Sequence, residues 1–260
     1  MCGDGTNDCG ALKAAHVGLA LSNAEASIVA PFTSCDKSII DVVALIKEGR
    51  CALMTSFVAF KFMVMYPIIQ VVISATLYAS MITMGNNQFL FDDMIVVLGL
   101  SMLMLKTEPS KVLTHHRPPN TLFDGSILYS LAGHIVIYLV FFFSVLYTMR
   151  MQSWYCSLPE AKAGQNHTKK YGCFKYEPPS NDGYTRVSFE NTILWLFGHW
   201  EFVLVAIAFN IKDPFRQSVW TNNRSFVAYT SAISIALLFL TLENNNYILK
   251  LGSIFDVISR

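Results

Sequence analysis

The chain has 260 residues, 53% of them hydrophobic and only 14% charged, and its net charge is +1. Soluble domains carry about 25% charged residues, so the apolar excess, with a mean hydropathy of +0.42, is not offset and points to a membrane protein. The near-zero net charge argues against a nucleic-acid partner, which would be held by neutralising phosphates.

The opening Met1-Cys2-Gly3-Asp4 has neither the basic nor the apolar region of a signal peptide. It reads as the end of a strand in mid-domain. Asp8 then starts a helix running through residues 11–15, and residues 17–21 read as a short buried strand. Residues 38–48 are amphipathic, with Ile39, Ile40, Val42, Val43 and Ile46 on the apolar side and Gly49 as a stop. Alternation of strand and helix predicts an open parallel sheet. Residues 1–50 are too few to close such a domain and are expected to be the carboxyl-terminal end of a larger one.

Residues 51–260 form the second region. A bilayer crossing needs about 20 apolar residues, and stretches near that length fall at 52–84, 89–105, 127–149, 192–211 and 226–242. The first is long enough to begin outside the bilayer as a stalk, and Gly85-Asn86-Asn87 predicts a tight hairpin before the second. Lys and Arg counts in the loops do not fix orientation. The phosphate-handling turn described next does so, because a site that uses ATP must be cytosolic. Parity then puts loop 150–190 on the lumenal or outer side. That loop holds the glycosylation sequon Asn166-His167-Thr168, and Cys156 and Cys173, which either pair there or stay as two thiols. A second sequon, Asn223-Arg224-Ser225, would face the cytosol unused.

Cys2-Gly3-Asp4-Gly5-Thr6-Asn7-Asp8 brings two carboxylates and an amide to the carboxyl edge of a sheet, where ligands bind in open α/β folds. Gly3 and Gly5 let the backbone turn tightly, with Thr6 beside them. Carboxylates would repel a phosphate unless a cation lay between, and Mg2+ held by one or two carboxylates plus phosphate oxygens is the ordinary solution. Asp4 is the better direct ligand and Asp8 the second. Asn7 and Asp8 would orient the phosphoryl group.

Residues 1–15 resemble the hinge motif of P-type ATPases, part of their haloacid-dehalogenase-like phosphorylation domain. The string C-G-D-G-T-N-D-C-G-A-L-K-A-A-H at residues 2–16 is similar to the type V branch. Residues 25–34, 48–53, Phe60-Lys61-Phe62-Met63 and Arg117-Pro118-Pro119 resemble its subgroup B, whose members export polyamines from late endosomes and lysosomes. The resemblance implies an α-helical polytopic membrane domain preceded by a partial α/β domain. It further implies aspartyl-phosphate formation from ATP with Mg2+, and transport of an organic cation from lumen to cytosol. The phosphorylated aspartate of a D-K-T-G-T motif is absent here, and Asp36-Lys37-Ser38 is no substitute for it. The nucleotide domain, the actuator loop and the first four spans are absent too. The chain is therefore expected to be a carboxyl-terminal fragment that is inactive without the amino-terminal half of the same pump.

Ionisable groups inside spans are functional candidates. Asp92 and Asp93 stand near the start of the second span. In the resemblance Asp93 falls at the substrate acid and Phe89 lies one turn earlier. Tyr66 and Gln70, at i and i+4 on one face, match path-lining positions. A polyamine would use such carboxylates and aromatic faces. Adjacent residues cannot point the same way, so one of the two acids is expected to face lumenal water. Glu201 is a candidate to pair with a histidine between helices, Lys61 to snorkel, Pro67 to kink its helix, and Phe141-Phe142-Phe143 to face lipid. Two rival readings remain, a P-type pump for an inorganic metal cation and a non-enzymatic membrane protein.

Overall fold

A computed structural model of the chain describes residues 1–21, 26–34, 38–162, 188–211 and 213–242. The chain divides into two compact units. One comprises residues 1–54, 108–118 and 214–217, and the other holds the rest.

The first unit is built on a small sheet. Strand β1 (Cys2–Gly3) leads through a 3-10 turn (Thr6–Asp8) into helix α1 (Cys9–Ala14), then to β2 (Leu19–Ala20), α2 (Ala26–Val29) and β3 (Phe32–Thr33). The strands are parallel, in the order β1-β2-β3. This is the expected open parallel arrangement, with β3 as an edge that the sequence pattern does not reveal. Leu12, Ala20 and Ala30 pack together as its core. Residues 108–118 and 214–217 belong to the same unit and pair through Ser110 N–H to Phe215 O (3.0 Å) and Gln217 N–H to Glu108 O (3.0 Å). Lys47 Nζ and Arg50 Nη1 hold the first of these segments by donating to the carbonyls of Lys111 (2.6 Å) and Thr114 (2.7 Å). His115 and His116 are exposed.

Helix α3 (Ile40–Ala79) is continuous. Gly49 does not stop it. The residues on both sides are good helix formers, and the roughly 1 kcal/mol penalty of a lone glycine does not outweigh them. Its second part, residues 55–79, belongs to the helical unit. The same unit holds α4 (Asn86–Phe91), a π-helical turn (Asp92–Val97) and α5 (Leu98–Met104), which run on as one rod. It also holds α6 (Gly125–Arg150), α7 (Leu158–Lys162), α8 (Phe189–Asn210), α9 (Val219–Asn222) and α10 (Arg224–Leu242). Among the described residues four helices, Ile40–Ala79, Asn86–Met104, Gly125–Arg150 and Phe189–Asn210, are long and apolar enough to cross a membrane. The fifth expected span falls on a shorter apolar helix, Arg224–Phe239.

The hairpin expected at residues 85–87 is displaced. The reversal lies just before it, where Ile82 N–H donates to Leu77 O (3.0 Å) and Met81 takes a positive φ of 58°. Asn86 and Asn87 instead begin α4, because the Gln88 side chain accepts from Gly85 N–H (2.7 Å) and caps the helix.

Lipid tails are as apolar as side chains, so close packing and polar contacts rather than the hydrophobic effect hold such helices together. Phe62, Met65, Ile69, Ile73 and Leu77 form a buried ridge along α3. At Gly198 of α8 an added Cβ would stand 2.8 Å from Ile73 Cδ1, so the missing side chain lets the two helices close up. Phe142 is buried in this core, whereas Phe141 and Phe143 are exposed. The lipid-facing reading of the run therefore fails for its middle residue, as three consecutive residues cannot share one helix face. Asn223, the acceptor of the second sequon, is buried; its Oδ1 accepts from Phe226 N–H (3.0 Å) and its Nδ2 donates to Leu103 O (2.6 Å). Both ends of the amide are used in capping α10 and tying it to α5. Cys156 is disulfide-bonded. Cys173 and Asn166, and Asp36 and Lys37, lie outside the described residues.

Candidate functional site

The acidic turn sits at the carboxyl end of β1. Asp4 is exposed, and Asp8 folds back so that its Oδ2 accepts from Asp4 N–H at 3.1 Å. The glycines make this possible. A Cβ on Gly3 would stand 2.7 Å from the Asp8 carboxylate, and one on Gly5 would stand 2.4 Å from Asn7 Oδ1. Thr6 and Asn7 are exposed in the single turn between. One open carboxylate beside a second, partly committed one is a donor set that fits Mg2+ held mainly by water and phosphate. Among the described residues no group of three or more His, Cys, Asp or Glu side chains could hold a metal ion alone.

The helical unit carries a second polar constellation. Near its start, the Ser188 hydroxyl caps α8 by accepting from Asn191 N–H (3.0 Å), and Asn191 Nδ2 donates to Gln88 Oε1 (3.0 Å). One turn further along both helices, Trp195 Nε1–H donates to Asp92 Oδ1 (3.1 Å). Another turn along α8, His199 Nε2 stands 2.8 Å from the same oxygen. His199 Nδ1 lies 2.8 Å from Trp195 O. Asp92 is 2% exposed and His199 0%. Phe91 closes the site against both aromatic partners, its ring centroid 6.0 Å from Trp195 and 5.3 Å from His199.

Asp93, the next residue, is exposed and accepts a short hydrogen bond from the Tyr66 hydroxyl of α3. Tyr66 is tilted against Phe202 of α8 at 5.8 Å. Phe89 is half-buried against the core. Gln70 is half-buried, and its Nε2 is buried without a hydrogen-bond partner. Tyr66 and Asp93 are thus brought together by direct contact. Gln70 and Phe89 lie one turn from Tyr66 and Asp93 on their respective helices.

Of the two acids, the one not matched to a cargo position turns inward onto α8 instead of out to water. Sequence reasoning missed this because it weighed Asp92 only against its neighbour Asp93 and not against α8. The signal was available as spacing: Gln88 and Asp92 are i, i+4, and Asn191, Trp195 and His199 are i, i+4, i+8, so polar groups line one face of each helix. The histidine expected to meet Glu201 is taken by Asp92 in the case of His199. His134 instead bonds Ser130 O through Nδ1 (2.7 Å) and lies tilted against Phe209, with ring centroids 4.4 Å apart. Lys61 lies 4.5 Å from the centroid of the same Phe209 ring, a cation–π contact that supports its charge within the helices. Outside the spans, burial and a hydrogen bond to Glu190 (2.6 Å) push the Tyr155 hydroxyl well above its ordinary pKa.

A parallel-sheet fragment with an acidic glycine turn, followed by apolar helices of membrane-spanning length that pair polar groups internally, defines a polytopic membrane protein. No family model matches the chain. In sequence it is 38% identical to human polyamine-transporting ATPase 13A3 over 246 residues, 93% of this chain and 20% of that protein. It is 35% identical to human polyamine-transporting ATPase 13A2 over 235 residues, 90% of this chain and 18% of the relative. Against the yeast (Saccharomyces cerevisiae) vacuolar cation-transporting ATPase YPK9 the figure is 34% over 253 residues, 96% of the chain and 16% of the relative. Over nearly its whole length the chain is similar to these transporting ATPases, and it spans about a fifth of the length of the curated relatives it matches.

Proposed function

We propose that the chain is the carboxyl-terminal part of an ATP-driven pump that forms an aspartyl-phosphate and carries polyamines from the lumen of late endosomes or lysosomes to the cytosol. The observation that carries the reading is the Tyr66–Asp93 pair: a carboxylate in a membrane-length helix, held by a phenol from the next helix and otherwise open. An ionisable group within a span is costly, which makes it a candidate for function. A polyamine ammonium would be drawn to the Asp93 carboxylate and to the faces of Tyr66 and Phe89, with the free amide of Gln70 one turn away. Relatives named as polyamine-transporting support this cargo.

In the sheet unit Asp4 would be the direct Mg2+ ligand. Asp8, held through Asp4 N–H, would fix the turn and orient the phosphoryl group with Asn7. Mg2+, when bound, neutralises charge on the transferring phosphoryl group of ATP. Gly3, Gly5 and Thr6 keep the backbone close enough for these groups to converge. The nucleophilic aspartate and the nucleotide domain would come from the amino-terminal half of the same pump, without which the chain would not turn over ATP.

The test uses the intact pump. Spermine-stimulated ATPase is measured for wild type and Asp93→Asn. Loss of stimulation with basal phosphoenzyme intact is expected. Unchanged stimulation would remove Asp93 from the cargo path.

A further inference from the structure

Two adjacent acids occupy one turn of helix, and only one of them can face the cargo. The surroundings of the π turn decide which. We infer that this turn is held by a clamp from three neighbouring helices that aims the Asp93 carboxylate, with Asp92, Trp195, His199 and Tyr229 as positioning residues. The inference rests on the reading of Asp93 as the acid that meets the cargo.

In an α-helix each N–H reaches the carbonyl four residues back. Here Leu98 N–H reaches Asp93 O, five residues back. Such a wide turn is rare and needs its backbone groups satisfied from outside. Ile95 O is met by the hydroxyl of Tyr229 from α10 in a short hydrogen bond. Gly99 makes room for that approach, since a Cβ there would fall 2.1 Å from the Tyr229 oxygen. No other residue type would let the phenol reach the turn.

From α8, Trp195 and His199 hold Asp92. A backbone carbonyl only accepts, so His199 Nδ1, 2.8 Å from Trp195 O, carries a proton. Nε2 then faces the Asp92 carboxylate at 2.8 Å, and the pair is attractive only with one further proton between the two groups. Trp195 Nε1–H adds a second tie to the same oxygen. Rolling the helix to free Asp92 would strand a buried histidine, which is the costly way to break such a pair.

Successive residues on a helix point about 100° apart. Fixing Asp92 inward therefore fixes Asp93 outward, where Tyr66 of α3 donates to it. A roll by one residue would exchange the two acids, burying Asp93 and presenting Asp92. The contacts from α8, α10 and α3 all oppose that exchange. None of Asp92, Trp195, His199 or Tyr229 needs to touch the cargo to affect its binding.

The experiment titrates spermine against ATPase activity in the intact pump carrying Tyr229→Phe, Trp195→Phe or Asp92→Asn, each a near-isosteric change. Asp93→Asn is the reference. Each positioning variant is expected to raise half-saturating spermine about ten-fold, the worth of one lost hydrogen bond, with the maximal rate within about two-fold and phosphoenzyme formed without spermine at the wild-type level. A purely structural role would instead lower the maximal rate and the amount of phosphoenzyme together, leaving half-saturation unchanged, and would overturn the inference. Wild-type half-saturation in Tyr229→Phe and Asp92→Asn, beside an Asp93→Asn that has lost stimulation, would overturn the clamp and leave the cargo acid standing. Normal stimulation of Asp93→Asn would remove the cargo acid, and the clamp with it.

Discussion

The sheet unit and the helical unit each carry a pair of carboxylates, and they divide the work in opposite ways. In the sheet unit Asp4 and Asp8 belong to one glycine-rich turn, with Asp4 open and Asp8 bonded to the backbone of Asp4 itself. Everything needed to arrange them lies within a few residues. In the helical unit Asp92 and Asp93 are consecutive, yet one is buried against α8 and the other meets α3. Their difference is imposed by residues more than a hundred positions away, such as Trp195 and His199. A local turn can carry its own chemistry in its sequence, whereas a helix acquires its chemistry from the faces it packs against.

The largest effect expected from breaking this contrast is at Asp92. Asp92→Ala leaves His199 and the Trp195 N–H buried without their acceptor and should cost roughly 3 kcal/mol, seen as a lower melting temperature of the intact pump in detergent. Asp8→Ala, at an exposed local turn, should leave that temperature nearly unchanged. A melting profile indifferent to both would mean that Asp92 is not the anchor described here.

Asn223→Ala comes next. It removes the cap of α10 and the tie to Leu103 O, and about 1–2 kcal/mol should be lost, again read by melting. A smaller pair of changes probes the backbone of α3 and of the reversal that follows it. At Gly49 an added Cβ meets nothing within 4 Å, so Gly49→Ala should stabilise by about 1 kcal/mol. Met81 holds a left-handed φ of 58°, so Met81→Gly should gain about 0.5–1 kcal/mol. Losses in either case would show that packing rather than backbone preference governs those sites.

The smallest effect concerns Asp124, which caps α6 from outside the span. Hydrogen bonds from Ser126 N–H and Oγ hold its carboxyl below the usual range. Because the folded value is depressed, its stabilisation is fully present above the ordinary carboxyl pKa and fades as pH falls through the folded value. Asp124→Ala should therefore lower the melting temperature slightly at neutral pH, with the difference from wild type vanishing as pH falls, which flattens the acid limb of a melting-temperature-against-pH curve. An unaltered acid limb would show that the cap carries no linked proton.

How much of this was legible in the sequence follows the same contrast. The turn at residues 3–8 and the parallel order of β1 and β2 could be read because glycine, acid and short apolar runs speak locally. The long helices could be read from the length of their apolar stretches. Gly49 misled because a lone glycine is only a weak breaker, and the hairpin at residues 85–87 was misplaced because the Gln88 cap draws Asn86 and Asn87 into α4. The π turn left no mark, since Asp92–Val97 is composed like any apolar helix that starts with acids. The inward turn of Asp92 depends on which face of α8 it meets, and hydropathy carries no such information. The i, i+4, i+8 spacing of Asn191, Trp195 and His199 was the one trace of it.

The acidic turn, with Asp4 open and Asp8 bonded back to the Asp4 N–H, is where the chain would take part in phosphoryl transfer. Its most direct test is labelling of the intact pump by radioactive ATP, wild type against Asp4→Asn. Loss of the labelled phosphoenzyme, with the melting temperature unchanged, is the predicted result. Wild-type labelling of Asp4→Asn at limiting Mg2+ would contradict it.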